Sequence, residues 1–183
     1  MQRSSNMQTA NPPLIMAPDR RSLRNDLLVG AVSGQIAGLV MAMAMVAVFA
    51  LFLGKPVYYP VQVIGSFVFG DAALVGFQLP AFLTGLALHQ GVASLIWGIV
   101  FGLLVHQLQP RGAAWVALAL GVGIVSEILD VGLLVPAIMN ARFGHNIWAE
   151  NVPRFWDWAS HLIFGLSFLV FPWVNARFFR RAE

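Results

Sequence analysis

Residues 113–139 read AAWVALALGVGIVSEILDVGLLVPAIM, an apolar run that carries two acids, Glu127 and Asp130, and no basic residue. A bilayer core of about 30 Å is crossed by roughly 20 helical residues, so this run is long enough to span it. An ionised carboxylate inside a membrane helix costs at least about 2.5 kcal/mol on insertion scales. We therefore predict a membrane-spanning helix whose two acids have partners in the folded protein.

Three further stretches, residues 27–54, 72–110 and 158–176, contain no Asp, Glu, Lys or Arg. Together with the first run they predict an all-α, integral membrane four-helix bundle. The expected membrane helices cover residues 27–53, 80–106, 113–139 and 154–174. Residues 61–69 are apolar but too short to cross a bilayer, so we expect a short interfacial helix on the outer side of the membrane.

The composition agrees with a membrane protein. Of 183 residues, 58% are apolar and 10% are charged, whereas soluble domains carry about 25% charged residues. The absence of cysteine excludes disulfides, iron–sulfur clusters and thiolate metal sites. Although the sequence pI is about 10.2, the net charge is only +3 and no basic helix face is present. We therefore expect a lipid bilayer, and no nucleic acid, as the partner of the basic residues.

The basic residues predict the orientation of the bundle. Eight arginines fall on one side of the four crossings: Arg3, Arg20, Arg21, Arg24, Arg111, Arg177, Arg180 and Arg181. Lys55, Arg142 and Arg154 fall on the other side. The positive-inside rule then places both termini in the cytoplasm. The expected parts are a cytoplasmic tail at 1–25, a transmembrane domain at 26–176 and a second cytoplasmic tail at 177–183.

Small residues mark two helices for close packing. Gly30, Gly34 and Gly38 recur every four residues on one face of the first predicted helix, and Gly98 and Gly102 do so on the second. Glycines at this spacing let helix backbones approach each other in membranes.

Polar side chains from three helices are expected at similar depth. With a rise of 1.5 Å per residue, His89 and His161 lie roughly 13 Å and roughly 12 Å from the outer ends of their helices. Asp130 lies roughly 15 Å from the same side, with Glu127 one turn deeper. Asp157 precedes His161 by four residues and could orient its ring. We therefore predict a polar cluster in the outer half of the bundle.

Three interpretations of this cluster are open. The first, which we favour, is a hydrogen-bonded structural cluster without a cofactor, in which a carboxyl group can be protonated. The second is a cofactor site, either a transition metal held by His89, Glu127, Asp130 and His161, or haem b with His89 and His161 as axial ligands. The third is a path for protons or a small solute.

Other polar residues have ordinary explanations. Asn25 or Asp26 is expected to cap the first helix, His106 to face lipid headgroups, and His145 to be solvated in a loop. An interfacial belt is expected from Trp148, Glu150, Trp156 and Trp158. Because no nucleophile elbow, phosphate-binding loop or dinucleotide fingerprint is present, we do not expect an enzyme.

Three segments carry a family resemblance: GAVSGQIAGLVMAMAM at residues 30–45, LHQGVASLIWG at 88–98 and SHLIFGLSF at 160–168. Over about residues 28–175 the chain resembles a loose group of small bacterial four-helix inner-membrane proteins of the YagU-like kind. The resemblance implies a location in a bacterial inner membrane and a four-crossing bundle with His89 and His161 at matching places, and it implies no known activity. Glu127 and Asp130 have no counterpart that we can match in that group.

The function we expect is that of a non-catalytic accessory subunit. Glycine faces and aromatic belts suit contact with a larger inner-membrane complex of the respiratory or electron-transfer kind, and self-association into a homo-oligomer is the other possibility. The alternative is a metal- or haem-binding membrane bundle, or a small-solute or proton transporter that uses His89, Glu127, Asp130 and His161.

Overall fold

The computed structural model describes residues 22–179, and these are helical apart from short connections. The helices are α1 (Leu23–Leu51), α2 (Tyr59–Phe69), α3 (Leu79–Leu108), α4 (Ala114–Phe143), α5 (Ile147–Asn151) and α6 (Arg154–Phe179). By length and composition, α1, α3, α4 and α6 can each cross a membrane. The prediction of an all-α chain with four helices long and apolar enough to span a membrane is therefore confirmed.

The long helices extend beyond the predicted bounds. α1 begins at Leu23, and Asp26 lies inside its first turn instead of capping it, because Ser22 occupies the cap position. α4 continues to Phe143, where Gly144 adopts the left-handed backbone conformation (φ 81°) that commonly ends a helix. α6 continues to Phe179.

The predicted tails lie mostly outside the described residues. Of the tail at 1–25 only residues 22–25 are described, and of the tail at 177–183 only residues 177–179. Five of the eight arginines that predict the orientation also lie outside: Arg3, Arg20, Arg21, Arg180 and Arg181. The cytoplasmic location of both termini therefore stays a prediction.

α1 packs against α3 through glycines on both helices. A Cβ atom built on Gly34 would lie 2.6 Å from the Cα of Gly98, and one built on Gly30 would lie 2.7 Å from the Cα of Gly102. Both distances are far below van der Waals contact, so only glycine fits at these positions. The two predicted glycine faces thus meet each other within one chain.

A second glycine pair joins α4 to α6. A Cβ atom on Gly165 would lie 2.9 Å from the Cα of Gly123. α6 also packs against α1, so the order of helices across the bundle is α3, α1, α6, α4. Phe101 of α3 and Phe168 of α6 stack in the apolar core with ring centroids 4.4 Å apart. The core therefore lies along α1 and α6, with α3 and α4 on the outside.

The short helix α2 packs against the first turns of α3. Gly65 faces Ala81, and Gly85 faces Val61, each so closely that a side chain on the glycine would collide with the opposite backbone. The expected short helix between the first two spans is therefore present. Its place at the outer surface of a membrane stays a prediction.

Two π-helical segments, Ala87–Ser94 in α3 and Glu127–Leu134 in α4, interrupt the outer helices. In the first, the Ser94 hydroxyl donates to the carbonyl of His89, five residues earlier, at 2.8 Å. The second is followed by Pro136, which lacks the N–H that would continue a regular α-helical ladder and crowds the carbonyl four residues before it. The wider turns fall where a cavity separates α3 from α4.

Candidate functional site

A cavity of about 550 Å³ lies between the middle of α3 and the middle of α4. Residues of α1, α2, α5 and α6 close its other sides. Its lining is mainly apolar, and its polar residues are His89, Ser94, Ser126, Asp130 and His161, with the two indoles Trp97 and Trp148. Apolar side chains that line it are also 40–53% exposed, namely Val92, Ile96, Leu129, Leu134 and Ile138. The cavity therefore opens sideways, between α3 and α4.

Asp130 and Trp97 join the two helices across this cavity. The indole Nε1–H of Trp97 in α3 donates to Oδ2 of Asp130 in α4 at 2.7 Å. The second carboxylate oxygen of Asp130 is not used by this bond. Sequence reasoning missed Trp97, although it lies eight residues after His89, about two helical turns along α3.

His89 is held against α1. Its Nε2–H donates to the backbone carbonyl of Gly38 at 2.9 Å, and the adjacent Gln90 carbonyl accepts from the Gln35 side chain at 2.9 Å. A carbonyl oxygen can only accept, so Nε2 of His89 carries the proton. Nδ1 is then the ring nitrogen of His89 that is free to accept a hydrogen bond in the cavity.

Glu127, Asp157 and His161 form a buried trio between α4 and α6, with 2%, 3% and 6% of their surfaces exposed. Nδ1 of His161 lies 2.9 Å from Oε2 of Glu127 and 4.0 Å from Oδ1 of Asp157. The Nδ1–H is nevertheless directed at the backbone carbonyl of Asp157, at 3.1 Å. Oε2 of Glu127 is thus near the ring nitrogen but off the line of its N–H. Among the described residues, neither this oxygen nor Oδ1 of Asp157 has a hydrogen-bond donor.

Trp148 completes the surroundings of the trio. Its indole Nε1–H donates to Oδ2 of Asp157 at 3.0 Å, and its ring lines the cavity. Trp148 was expected in an interfacial belt with Glu150. In the structure it is half-buried and turned toward α6, so its indole serves a carboxylate inside the protein. Trp148 precedes Asp157 by nine residues, and the break between α5 and α6 lies between them. Helical spacing therefore could not predict this pair from the sequence.

The four predicted site residues are close together but have different partners. His89, Asp130 and His161 line one cavity, and Glu127 contacts His161. Asp130, expected to meet an imidazole, bonds an indole instead. Axial ligation of haem through Nε2 of His89 would require breaking its bond to Gly38. A metal shared by all four residues, and a haem between the two histidines, both stay predictions.

The two remaining histidines also pair with acids. His106 lies 3.0 Å from Oδ2 of the fully buried Asp26, although it was expected to face headgroups. His145, at the α2 end of the bundle, bonds Glu150 at 2.8 Å and Asp71 at 3.0 Å. The hydrogen bonds to Glu150 and Asp71 raise the pKa of His145 above the ordinary value of 6.5. These pairs lie outside the cavity and define no second site.

Comparison with the models of known protein families gave no match, and neither curated proteins nor solved structures matched the chain. The resemblance to the YagU-like group therefore stays a prediction.

Proposed function

We propose that this protein is a multi-pass membrane protein that binds a lipid-soluble small molecule in the cavity between α3 and α4. The observation that carries the proposal is a cavity of about 550 Å³ with an apolar wall, a lateral opening and a few polar groups. Ligand-binding cavities in proteins measure about 300–1,000 Å³ and have this kind of lining.

The opening indicates where the ligand enters. Its rim consists of apolar side chains on α3 and α4, two helices long and apolar enough to lie in a bilayer. In that setting the opening faces acyl chains, so a molecule dissolved in the membrane reaches the cavity without crossing water. A hydrated ion or sugar would have to lose its water against an apolar wall, which is unfavourable.

The free polar atoms indicate the kind of headgroup. Nδ1 of His89 can accept a hydrogen bond because Nε2 holds the proton, and one oxygen of Asp130 is not used by Trp97. Both groups accept. A ligand with a hydroxyl or amine donor at one end and an apolar chain at the other would satisfy them.

The test uses a long-chain alcohol with a bromine atom on its tail, because bromine quenches nearby indoles and Trp97 and Trp148 line the cavity. The protein is reconstituted in nanodiscs and its tryptophan fluorescence is measured as the probe is added. We expect saturable quenching that Ala93→Phe abolishes, since Ala93 lines the cavity. Ala87→Phe adds the same volume to the same π-helical segment outside the cavity and should leave quenching unchanged.

A bromoalkane without the hydroxyl should bind more weakly than the alcohol, because it lacks one hydrogen bond in the cavity, so its quenching should reach half of its maximum at a higher probe concentration. Quenching that rises without saturation, or that is the same in Ala93→Phe and Ala87→Phe, would show that the probe only partitions into lipid. That result would refute the proposal.

Location and orientation are part of the proposal. The bias of eight basic residues to three supports an orientation with both termini in the cytoplasm and α2 at the outer surface. The bacterial inner membrane is proposed from the resemblance to the YagU-like group. An alkaline phosphatase reporter fused after the last residue should stay inactive, and one inserted after Gly144 should be active. The opposite pattern would reverse the orientation.

The accessory-subunit role also stays a prediction, as does transport of protons or a small solute. One of the reasons for the accessory role weakens, because Gly30, Gly34 and Gly38 contact α3 of the same chain and leave no free glycine face on α1. Purification in a mild detergent tests the accessory role. A fixed set of larger subunits would support the accessory role, and a single monodisperse species would contradict it.

A further inference from the structure

We propose that the buried trio binds one divalent transition-metal ion through Oε2 of Glu127, Oδ1 of Asp157 and Nδ1 of His161. Among residues 22–179 it is the one group of three Asp, Glu, His or Cys side chains whose ligand atoms lie within 4.8 Å of one another. The inference rests on these three side chains and does not depend on what the neighbouring cavity binds.

The two unpartnered oxygens are the main argument. Buried carboxylate oxygens normally accept hydrogen bonds, and leaving one without a donor is costly. Here two such oxygens, on Glu127 and Asp157, point into the same small space beside one ring nitrogen. A cation between them supplies what both lack. A single His161 ring cannot, because its Nδ1–H is already directed at a backbone carbonyl.

The charges of the trio also favour a bound cation. In the described part of the chain, the ion pairs of Glu127 and Asp157 involve His161 and no lysine or arginine. Two carboxylates and one imidazole therefore carry a net negative charge even when the ring is protonated. A dication would neutralise both carboxylates, and neutralisation matters most where water is excluded.

The distances need only a small adjustment. Zinc binds oxygen at about 2.0–2.2 Å and imidazole nitrogen at about 2.0–2.1 Å, so a nitrogen and an oxygen on one ion lie at most about 4.3 Å apart. The observed separations of 2.9 Å and 4.0 Å from Nδ1 are within that limit. Binding would replace the proton of Nδ1, and its hydrogen bond to the Asp157 carbonyl would be given up.

The donor types select the metal. One imidazole and two carboxylates suit Zn²⁺, Mn²⁺ or Fe²⁺, whereas Mg²⁺ and Ca²⁺ prefer sites made of oxygen alone. The indole of Trp148 acts as a positioning group, because its bond to Oδ2 of Asp157 leaves Oδ1 turned toward the trio. Such partners of metal ligands commonly contribute about 10–100-fold to affinity.

The experiment measures Zn²⁺ binding to the full chain, purified without a polyhistidine tag, stripped with EDTA and reconstituted in nanodiscs. We expect one Zn²⁺ per chain. Glu127→Gln and Asp157→Asn keep the side-chain shape and should weaken binding by at least about 100-fold, and Trp148→Phe by about 10-fold. Asp130→Asn changes a carboxylate of the neighbouring cavity that is not part of the trio, and the Zn²⁺ affinity of this variant should match that of the wild type.

Two further measurements keep the result interpretable. His145→Ala removes the exposed histidine that bonds Asp71 and Glu150, and should leave the Zn²⁺ site intact. X-ray absorption of bound Zn²⁺ should show nitrogen and oxygen neighbours with imidazole scattering, which His161→Gln should remove. Binding that survives both Glu127→Gln and Asp157→Asn, or that is lost in His145→Ala, would overturn the proposal. Far-UV circular dichroism and gel filtration confirm that each variant is folded.

Discussion

Replacing Gly34 by alanine should destabilise the protein, because this glycine lies where α1 and α3 touch. The matched control is Gly121→Ala in α4. Both changes add one methyl group to a glycine inside a helix, and both gain helix propensity of up to about 1 kcal/mol. They differ in the space available, since a Cβ atom at Gly121 would meet nothing within 4 Å.

The cost at Gly34 follows from the distance to the opposite helix. The new Cβ atom would lie 2.6 Å from the Cα of Gly98, whereas carbon atoms attract each other best at about 3.5–4.0 Å. The helices must therefore separate by about 0.9 Å at this point, because the obstructing atoms include backbone that cannot rotate away. Overpacking of this kind costs about 1–3 kcal/mol.

Separating α1 from α3 also strains two hydrogen bonds between them. These are the bonds from Gln35 to the Gln90 carbonyl and from His89 to the Gly38 carbonyl, each 2.9 Å long. Each is worth about 1 kcal/mol in net stability. We therefore expect Gly34→Ala to be less stable than Gly121→Ala by about 2–4 kcal/mol.

The measurement is reversible unfolding of both variants and the wild type by sodium dodecyl sulfate in mixed micelles, followed by far-UV circular dichroism. If Gly34→Ala unfolds at the same detergent fraction as Gly121→Ala, then α1 and α3 do not touch through their glycines. The position of His89 in the cavity would then be wrong as well, because its bond to the Gly38 carbonyl of α1 holds it there.

Two other predictions concern the α2 end of the bundle. Gln62 is fully buried and its amide bonds three backbone groups of residues 73–78, so Gln62→Leu should cost at least about 2 kcal/mol in the same unfolding assay; a loss below about 0.5 kcal/mol would contradict this. The pKa of His145 is raised by Glu150 and Asp71, so its stabilising effect should be complete below about pH 6.5 and disappear as the pH rises through the higher folded value. The difference in thermal stability between wild type and His145→Ala should therefore shrink from about pH 6 to pH 9, and a difference that grows would refute the assignment.

The four long apolar helices could be predicted because the chain has long stretches without charge. Gly30, Gly34 and Gly38 predicted a close helix contact, since repeated glycines have few other uses on an apolar helix, but they did not predict that the partner is α3 of the same chain. Depth along a helix could be predicted as well, from the rise per residue. These features depend on local sequence alone, so they could be predicted without knowledge of how the helices pack.

The partners of the acids could not be predicted, because they depend on rotation about the helix axis. Residues three apart share a face of a regular α-helix, so Glu127 and Asp130 were expected to belong to one polar cluster. Both lie in a π-helical segment, where the turn closes one residue later and spreads such residues around the axis. Glu127 accordingly turns to α6 and Asp130 to α3. The segment precedes Pro136, and no recognisable motif in the sequence marks it.

Every acid inside the four long helices has a ring nitrogen on another helix as its neighbour, and the buried trio differs from the other sites because two acids lie beside one imidazole. Each acid lies within 3.0 Å of a ring nitrogen on another helix: Asp26 with His106, Glu127 with His161, Asp130 with Trp97, and Asp157 with Trp148. Indole N–H groups satisfy a carboxylate oxygen but add no charge, so they orient an acid without neutralising it. At Asp130 one carboxylate stands alone beside a cavity, where a hydrogen-bond donor on a ligand can reach its second oxygen. In the trio two carboxylates share one imidazole, and each still has an oxygen without a donor. If a cation binds within the described part of this protein, the trio is where its charge is needed most.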